Sequence, residues 1–167
     1  MTFSMPSFIS KFLPRAKIFE VYTDGSHKGR WGSWAYVILK NGVVITEASG
    51  RVLKTGSTRM ELQAAIEALQ FLPAGAKANV FSDSRILIDA MTLKMDMWQK
   101  QGWLNKSKRP VPNADQIQIL QKLCREKKII WKWIKAHSGL KYNERCDLLC
   151  THARLGTAVD SENSTLS

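Results

Sequence analysis

The chain has 167 residues, enough for one domain with a full core and too few for two of ordinary size. Hydrophobic residues make up 44% and charged residues 23%, which excludes a wholly disordered, collagen-like or disulfide-scaffold chain. Lys and Arg number 25 against 14 Asp and Glu, a net charge of +11 that points to a polyanionic partner, nucleic acid ahead of an acidic membrane surface.

Met1 to Lys17 lacks acids and mixes Phe, Ser and three basic residues. It has no basic start, continuous apolar run or small-residue cleavage site, so it does not read as a secretory signal. A weak organelle-targeting segment is one reading of it; a frayed N-terminal arm over 1–16 is the one adopted. Ile18 to Tyr22 alternates apolar and polar residues and predicts a strand ending at an Asp24-Gly25 turn. Trp34 to Leu39 predicts a second strand, and Asn41-Gly42 is the strongest short hairpin signal. Val43 to Leu53 is then the antiparallel third strand. Thr58-x-x-Glu61 matches a capping box, and helix formers run on to Leu72, with Pro73 and Gly75 as the stop.

Ala78 to Phe81 predicts a fourth strand ending at Ser82-Asp83-Ser84, followed by a helix through Ile86, Leu87, Ala90 and Met91. Ile129 to Ile134 predicts a fifth strand, and Asn143 a cap for a last helix running past Cys150. Three meandering strands and two reached through helices imply an α/β fold with a mixed five-stranded sheet and helices on its faces. The domain is expected over 17–156, with a loose polar tail over 157–167. No apolar run reaches transmembrane length. Cys124, Cys146 and Cys150 are odd in number and form no Cys-x-x-Cys pair. They are expected to be packed, reduced thiols rather than zinc ligands, in a reducing, cytoplasmic compartment.

Four acids stand out by position. Asp24 ends the first strand, Glu61 lies in the first turn of the first helix, Asp83 ends the fourth strand, and Asp147 lies in the first turns of the last helix. Strand ends and helix starts of an α/β sheet converge on one edge. Carboxylates gathered there need cations or raised pKa values, and hard oxygen ligands suit magnesium or manganese. Two such ions together promote phosphodiester hydrolysis. Each acid also has an ordinary role: Asp24-Gly25 as an Asx turn, Glu61 as the partner of Thr58, Asp83 as a helix cap, Asp147 as a complement to a helix dipole. Composition and spacing do not decide between these.

Five stretches together carry a recognisable pattern: Thr23-Asp24-Gly25-Ser26; Arg59-Met60-Glu61-Leu62; Ser82-Asp83-Ser84; Trp131-Lys132-Trp133 with Ala136-His137-Ser138-Gly139; and Asn143-Glu144-Arg145-Cys146-Asp147. In this order and spacing, over about residues 17 to 155, the chain resembles the type 1 ribonuclease H family, of the bacterial type with a basic protrusion. The resemblance implies a ribonuclease H-like fold and a Mg2+-dependent endonuclease that cuts the RNA strand of an RNA–DNA hybrid, leaving 5′-phosphate and 3′-hydroxyl ends. It implies that Asp24, Glu61, Asp83 and Asp147 hold two magnesium ions, with Mn2+ as a substitute. It gives His137 a part in proton movement or product release.

Trp98 to Val111 has four Lys or Arg and no acid. The family carries its protrusion here, so Lys100, Lys106, Lys108 and Arg109 are expected to face the hybrid, with Trp98 or Trp103 as anchors. Trp131 and Trp133 are expected to be packing and edge residues. The chain departs from the family at His27 to Gly32, at Gly56-Ser57-Thr58 and at Arg85, where relatives have a Gly-Asn-Pro-Gly-type turn, asparagines and a glutamine. Thr58, Ser84 and Arg85 are expected to donate to phosphate or ribose. The alternatives are a hybrid-binding module without turnover and another nuclease of the superfamily. The intact acids argue against the first; the basic stretch and the Arg-Met-Glu-Leu segment argue against the second. A monomer is expected.

Overall fold

A computed structural model describes residues 18–158. The expected arm over 1–16, with its targeting alternative, lies outside the described residues, as does all but the first two residues of the expected tail.

The strands are β1 (Ile18–Lys28), β2 (Trp31–Lys40), β3 (Val43–Leu53), β4 (Lys77–Ser82) and β5 (Lys128–Trp133). They form one sheet in the order β3-β2-β1-β4-β5. The β1/β2 and β2/β3 pairs are antiparallel, and β1/β4 and β4/β5 are parallel. The helices are α1 (Ser57–Phe71), α2 (Arg85–Asp89), α3 (Met95–Lys100), α4 (Ala114–Arg125) and α5 (Lys141–Leu155). A π-helical turn, Ala90–Lys94, joins α2 to α3. The mixed sheet with flanking helices is the architecture expected.

Alternation along the strands divides the core. Val21, Ile38 and Val80 pack with Leu62, Ile66 and Leu69 of α1 and Leu120 of α4. Ala35, Val37 and Leu39 face the other way, against Cys146, Leu149 and Cys150 of α5. Burying each large aliphatic side chain contributes about 1.5–3 kcal/mol. All three cysteines are free thiols, and no described helix is long and apolar enough to cross a membrane.

Several local expectations need correction. The Asn41-Gly42 hairpin forms, with φ of 55° and 75° as a tight turn of that type requires. Asp24-Gly25, however, is not a turn: β1 continues through it to Lys28, and Asp24 pairs with Ala35 of β2. Thr58 does not cap α1. The extended residue at its start is Gly56, with no side-chain cap, so Thr58 is already helical and Glu61 lies in the second turn. Ser84, not Asp83, caps α2, its hydroxyl accepting from the Leu87 amide at 3.3 Å. Leu140 stands at the cap of α5, which places Asn143 inside the helix.

Candidate active site

The acids arrive from separate elements. Asp24 lies on β1 just beyond Tyr22–Phe81, the last β1–β4 pair. Glu61 reaches it from α1, which approaches so closely that a Cβ at Gly25 would overlap the Glu61 amide nitrogen and the Met60 carbonyl carbon. Glycine is required here for helix–strand contact, not for a turn. Asp83 follows the last residue of β4. Its carbonyl accepts from Trp133 Nε1 at 3.1 Å and its Oδ2 from Asn143 Nδ2 at 3.4 Å.

Carboxylate oxygens of Asp24, Glu61 and Asp83 lie within 4.8 Å of one another. They open on a cavity of about 330 Å³ also lined by Gly25, Ser26, Ser84, His137, Asn143 and Glu144, with Asp147. Asp147 stands on an exposed part of α5; it shares the cavity wall but lies outside the three-oxygen cluster. His137 is exposed at the rim, in a left-handed conformation with φ of 50°.

Asp24 is only 8% exposed. Burial first, then the Asp83 and Asp147 carboxylates, push its carboxyl up from 3.8 to about 7, against the opposing Gly25 amide and Cys150 thiol. Glu61 is raised well above its usual range by burial and by Asp24 and Asp83. Its Oε2 is buried without a hydrogen-bond partner. An unsatisfied buried oxygen beside two more carboxylates is a set of hard, anionic donors that a divalent cation matches. The residues present therefore fit a metal centre.

The cations expected on nucleic acid lie elsewhere. Lys100 ends α3, and Lys106, Lys108 and Arg109 stand exposed on the following loop. Asn105 folds that loop, its Oδ1 accepting from the amides of Ser107 at 2.9 Å and Arg109 at 3.0 Å. Trp98 and Trp103 pack against the core beneath, as anchors. Ser84 lines the cavity, whereas Thr58 does not. The Arg85 guanidinium lies 3.7 Å above the Trp133 ring, which is 39% exposed. Trp131 packs against the core.

Sequence reasoning missed Asn143, Glu144 and Trp133 as parts of the site. Asn143 and Asp147 are one helical turn apart, so the helical period alone puts them on one face. Nothing local marks Trp133, because its partner is a backbone carbonyl.

Comparison with known proteins bears on this geometry. The profile of the RNase H family matches residues 16–154. The ribonuclease H of Zymomonas mobilis is 40% identical over 141 residues, covering 83% of this chain and 90% of the relative. That of Caldanaerobacter subterraneus is 41% identical over 138 residues, covering 81% and 90%. Among solved structures, a type 1 RNase H with the type 2 active-site motif superposes with a TM-score of 0.76 at 24% identity, covering 89% of this chain and 80% of its own. LC11-RNase H1 in complex with an RNA/DNA hybrid superposes with a TM-score of 0.62 at 20% identity, covering 83% and 97%.

Proposed function

This chain belongs to the ribonuclease H family, and we propose that it is an endoribonuclease hydrolysing the RNA strand of RNA–DNA hybrids, leaving 5′-phosphate and 3′-hydroxyl ends. The observation that carries this reading is the convergence of Asp24, Glu61 and Asp83 oxygens within 4.8 Å, from a strand, a helix and a strand end. Asp147, on the same cavity wall, completes the set of acids.

Asp24, Glu61, Asp83 and Asp147 would hold two magnesium ions, which manganese can replace. When bound, such ions neutralise the phosphodiester and stabilise charge on its attacking and leaving oxygens. The protein's own contribution is placement. The sheet holds Asp24 on β1 and Asp83 just past the end of the adjacent β4, and α1 brings Glu61 across Gly25. Asn143 and the Trp133 indole fix Asp83 through its carboxylate and its carbonyl. His137, at the solvent-facing rim, moves a proton at its imidazole. Lys100, Lys106, Lys108 and Arg109 neutralise backbone phosphates, with Thr58, Ser84 and Arg85 as further donors to phosphate or ribose. The protein is read as a monomer of a reducing, cytoplasmic compartment, consistent with three free thiols.

End-group analysis tests the reading. An end-labelled hybrid incubated with magnesium should yield RNA fragments with 5′-phosphate and 3′-hydroxyl ends, and none with excess chelator. Cleavage that survives chelation, or fragments with 2′,3′-cyclic phosphate, would overturn it.

A further inference from the structure

One face of α5 runs in step with β1. Tyr142 packs its ring on Tyr22, with centroids 5.4 Å apart. The Cys146 thiol donates to the Tyr22 carbonyl at 3.4 Å, and the Cys150 thiol to the Asp24 carbonyl at 3.5 Å. Arg154 Nη1 donates to Ser26 Oγ at 2.7 Å and contacts Ser33 Oγ at 3.4 Å. Ser26 and Ser33 are themselves a cross-strand pair of β1 and β2.

From Cys146 onward the helix residues recur every four positions and the strand residues every two. Four helical residues rise about 6.0 Å and two strand residues about 6.7 Å, so successive rungs nearly match. A row at that spacing drifts by about 40° per step around the helix, so the last rung needs a long side chain. Arginine supplies one, and its Nη1 reaches both serines.

The last two rungs lie where the sheet no longer holds β1 on both sides. Parallel pairing with β4 stops at Tyr22. Beyond it come Asp24 and Ser26, both in the cavity wall. Asp147 occupies the same helical segment, between Cys146 and Cys150. The thiols are weak donors, both fully buried. Arg154 is the one charged rung, and its guanidinium ties β1 to β2 through Ser26 and Ser33.

From this geometry we infer that Arg154, with Cys150, is a positioning device that sets the end of β1, and so Asp24, against Asp147. The inference rests on the functional reading above, since the acids matter through the cations they hold. It assigns Arg154 no contact with substrate.

The test uses the full-length protein and the variants Arg154→Ala, Arg154→Lys and Cys150→Ala. Mn2+ binding without nucleic acid is followed by electron paramagnetic resonance, alongside kcat, KM for hybrid and the thermal midpoint. Supporting shells of metal sites typically cost at least tenfold when removed. Arg154→Ala should therefore weaken Mn2+ binding and lower kcat by about tenfold each, leaving KM within about twofold, and Arg154→Lys should recover part of both. Cys150→Ala should move both quantities the same way by less, and carries the test if Arg154→Ala does not fold. Unchanged Mn2+ affinity and kcat in folded Arg154→Ala would overturn the inference while the functional reading stands. A raised KM with a shallower salt dependence would also overturn it, making Arg154 a phosphate contact. A wild type that neither binds Mn2+ nor cuts hybrid would overturn the functional reading, and this inference with it.

Discussion

Gly25 and Glu61 meet backbone against backbone: a single methyl on Gly25 would overlap the Glu61 amide nitrogen. The contact sets how far α1 stands from β1, and thereby how far Glu61 stands from Asp24. Gly25→Ala is expected to push helix from strand, destabilising the fold by about 2–4 kcal/mol. Activity should fall further than the remaining folded fraction explains. Denaturant unfolding and turnover per folded molecule measure the two effects.

Asp24 carries its charge at a cost. Its carboxyl is pushed up to about 7 in the fold, against 3.8 unperturbed. Between those values the folded chain holds a proton that the unfolded chain has released. The group's stability contribution is therefore full below pH 3.8 and lost as pH rises through about 7. The displacement corresponds to up to roughly 4 kcal/mol. Asp24→Asn should abolish turnover yet raise the melting temperature of the chelator-treated protein at pH 8, with the advantage shrinking towards pH 4. Thermal melts across that range check it; a variant less stable than wild type at pH 8 would contradict it.

Magnesium should reverse the same cost. Cations bound at the acid cluster stabilise the folded state only, so the melting temperature should rise with magnesium. The rise should be larger at pH 8 than at pH 5, because binding at pH 5 must displace protons from Asp24 and Glu61. In Asp24→Asn the rise should be reduced at both.

How much of this was visible in the sequence depends on what each residue answers to. Asn41-Gly42 answers to local backbone geometry alone, and its hairpin is as expected. The four acids were found by their places at strand ends and helix starts, and by resemblance. Thr58-x-x-Glu61 satisfies the capping pattern, but the extended residue is Gly56, so the motif is present without the bond. Asp24-Gly25 satisfies a turn pattern, yet the glycine answers to α1, a tertiary neighbour. Asn143 has the chemistry of a cap and is used to hold Asp83. At Gly25 and Asn143 a residue suited to a local role is taken by a contact distant in sequence. The π turn at Ala90–Lys94 left no pattern in the sequence that we could read.

Neutralising Lys100, Lys106, Lys108 and Arg109 together should weaken hybrid binding and reduce the salt slope of log affinity by up to about 3.6. Their loop is folded by Asn105 and anchored on Trp98 and Trp103, so the thermal midpoint should stay close to wild type. Equal binding and an equal slope would make the segment a structural loop.

His137→Ala should slow turnover by about a hundredfold without abolishing it, leaving metal-dependent stabilisation intact. His137 lines the cavity from an exposed loop, outside the cluster of acids. An unchanged rate at every magnesium concentration would remove it from the chemistry.

The most direct test of the central claim is substrate choice. Four end-labelled substrates of one sequence, RNA–DNA hybrid, duplex RNA, duplex DNA and single-stranded RNA, are incubated with magnesium and either wild type or Asp24→Asn. The account predicts cleavage by wild type of the RNA strand of the hybrid alone, and none by the variant. Duplex DNA cut as readily as hybrid, or hybrid bound and left whole by wild type, would contradict it.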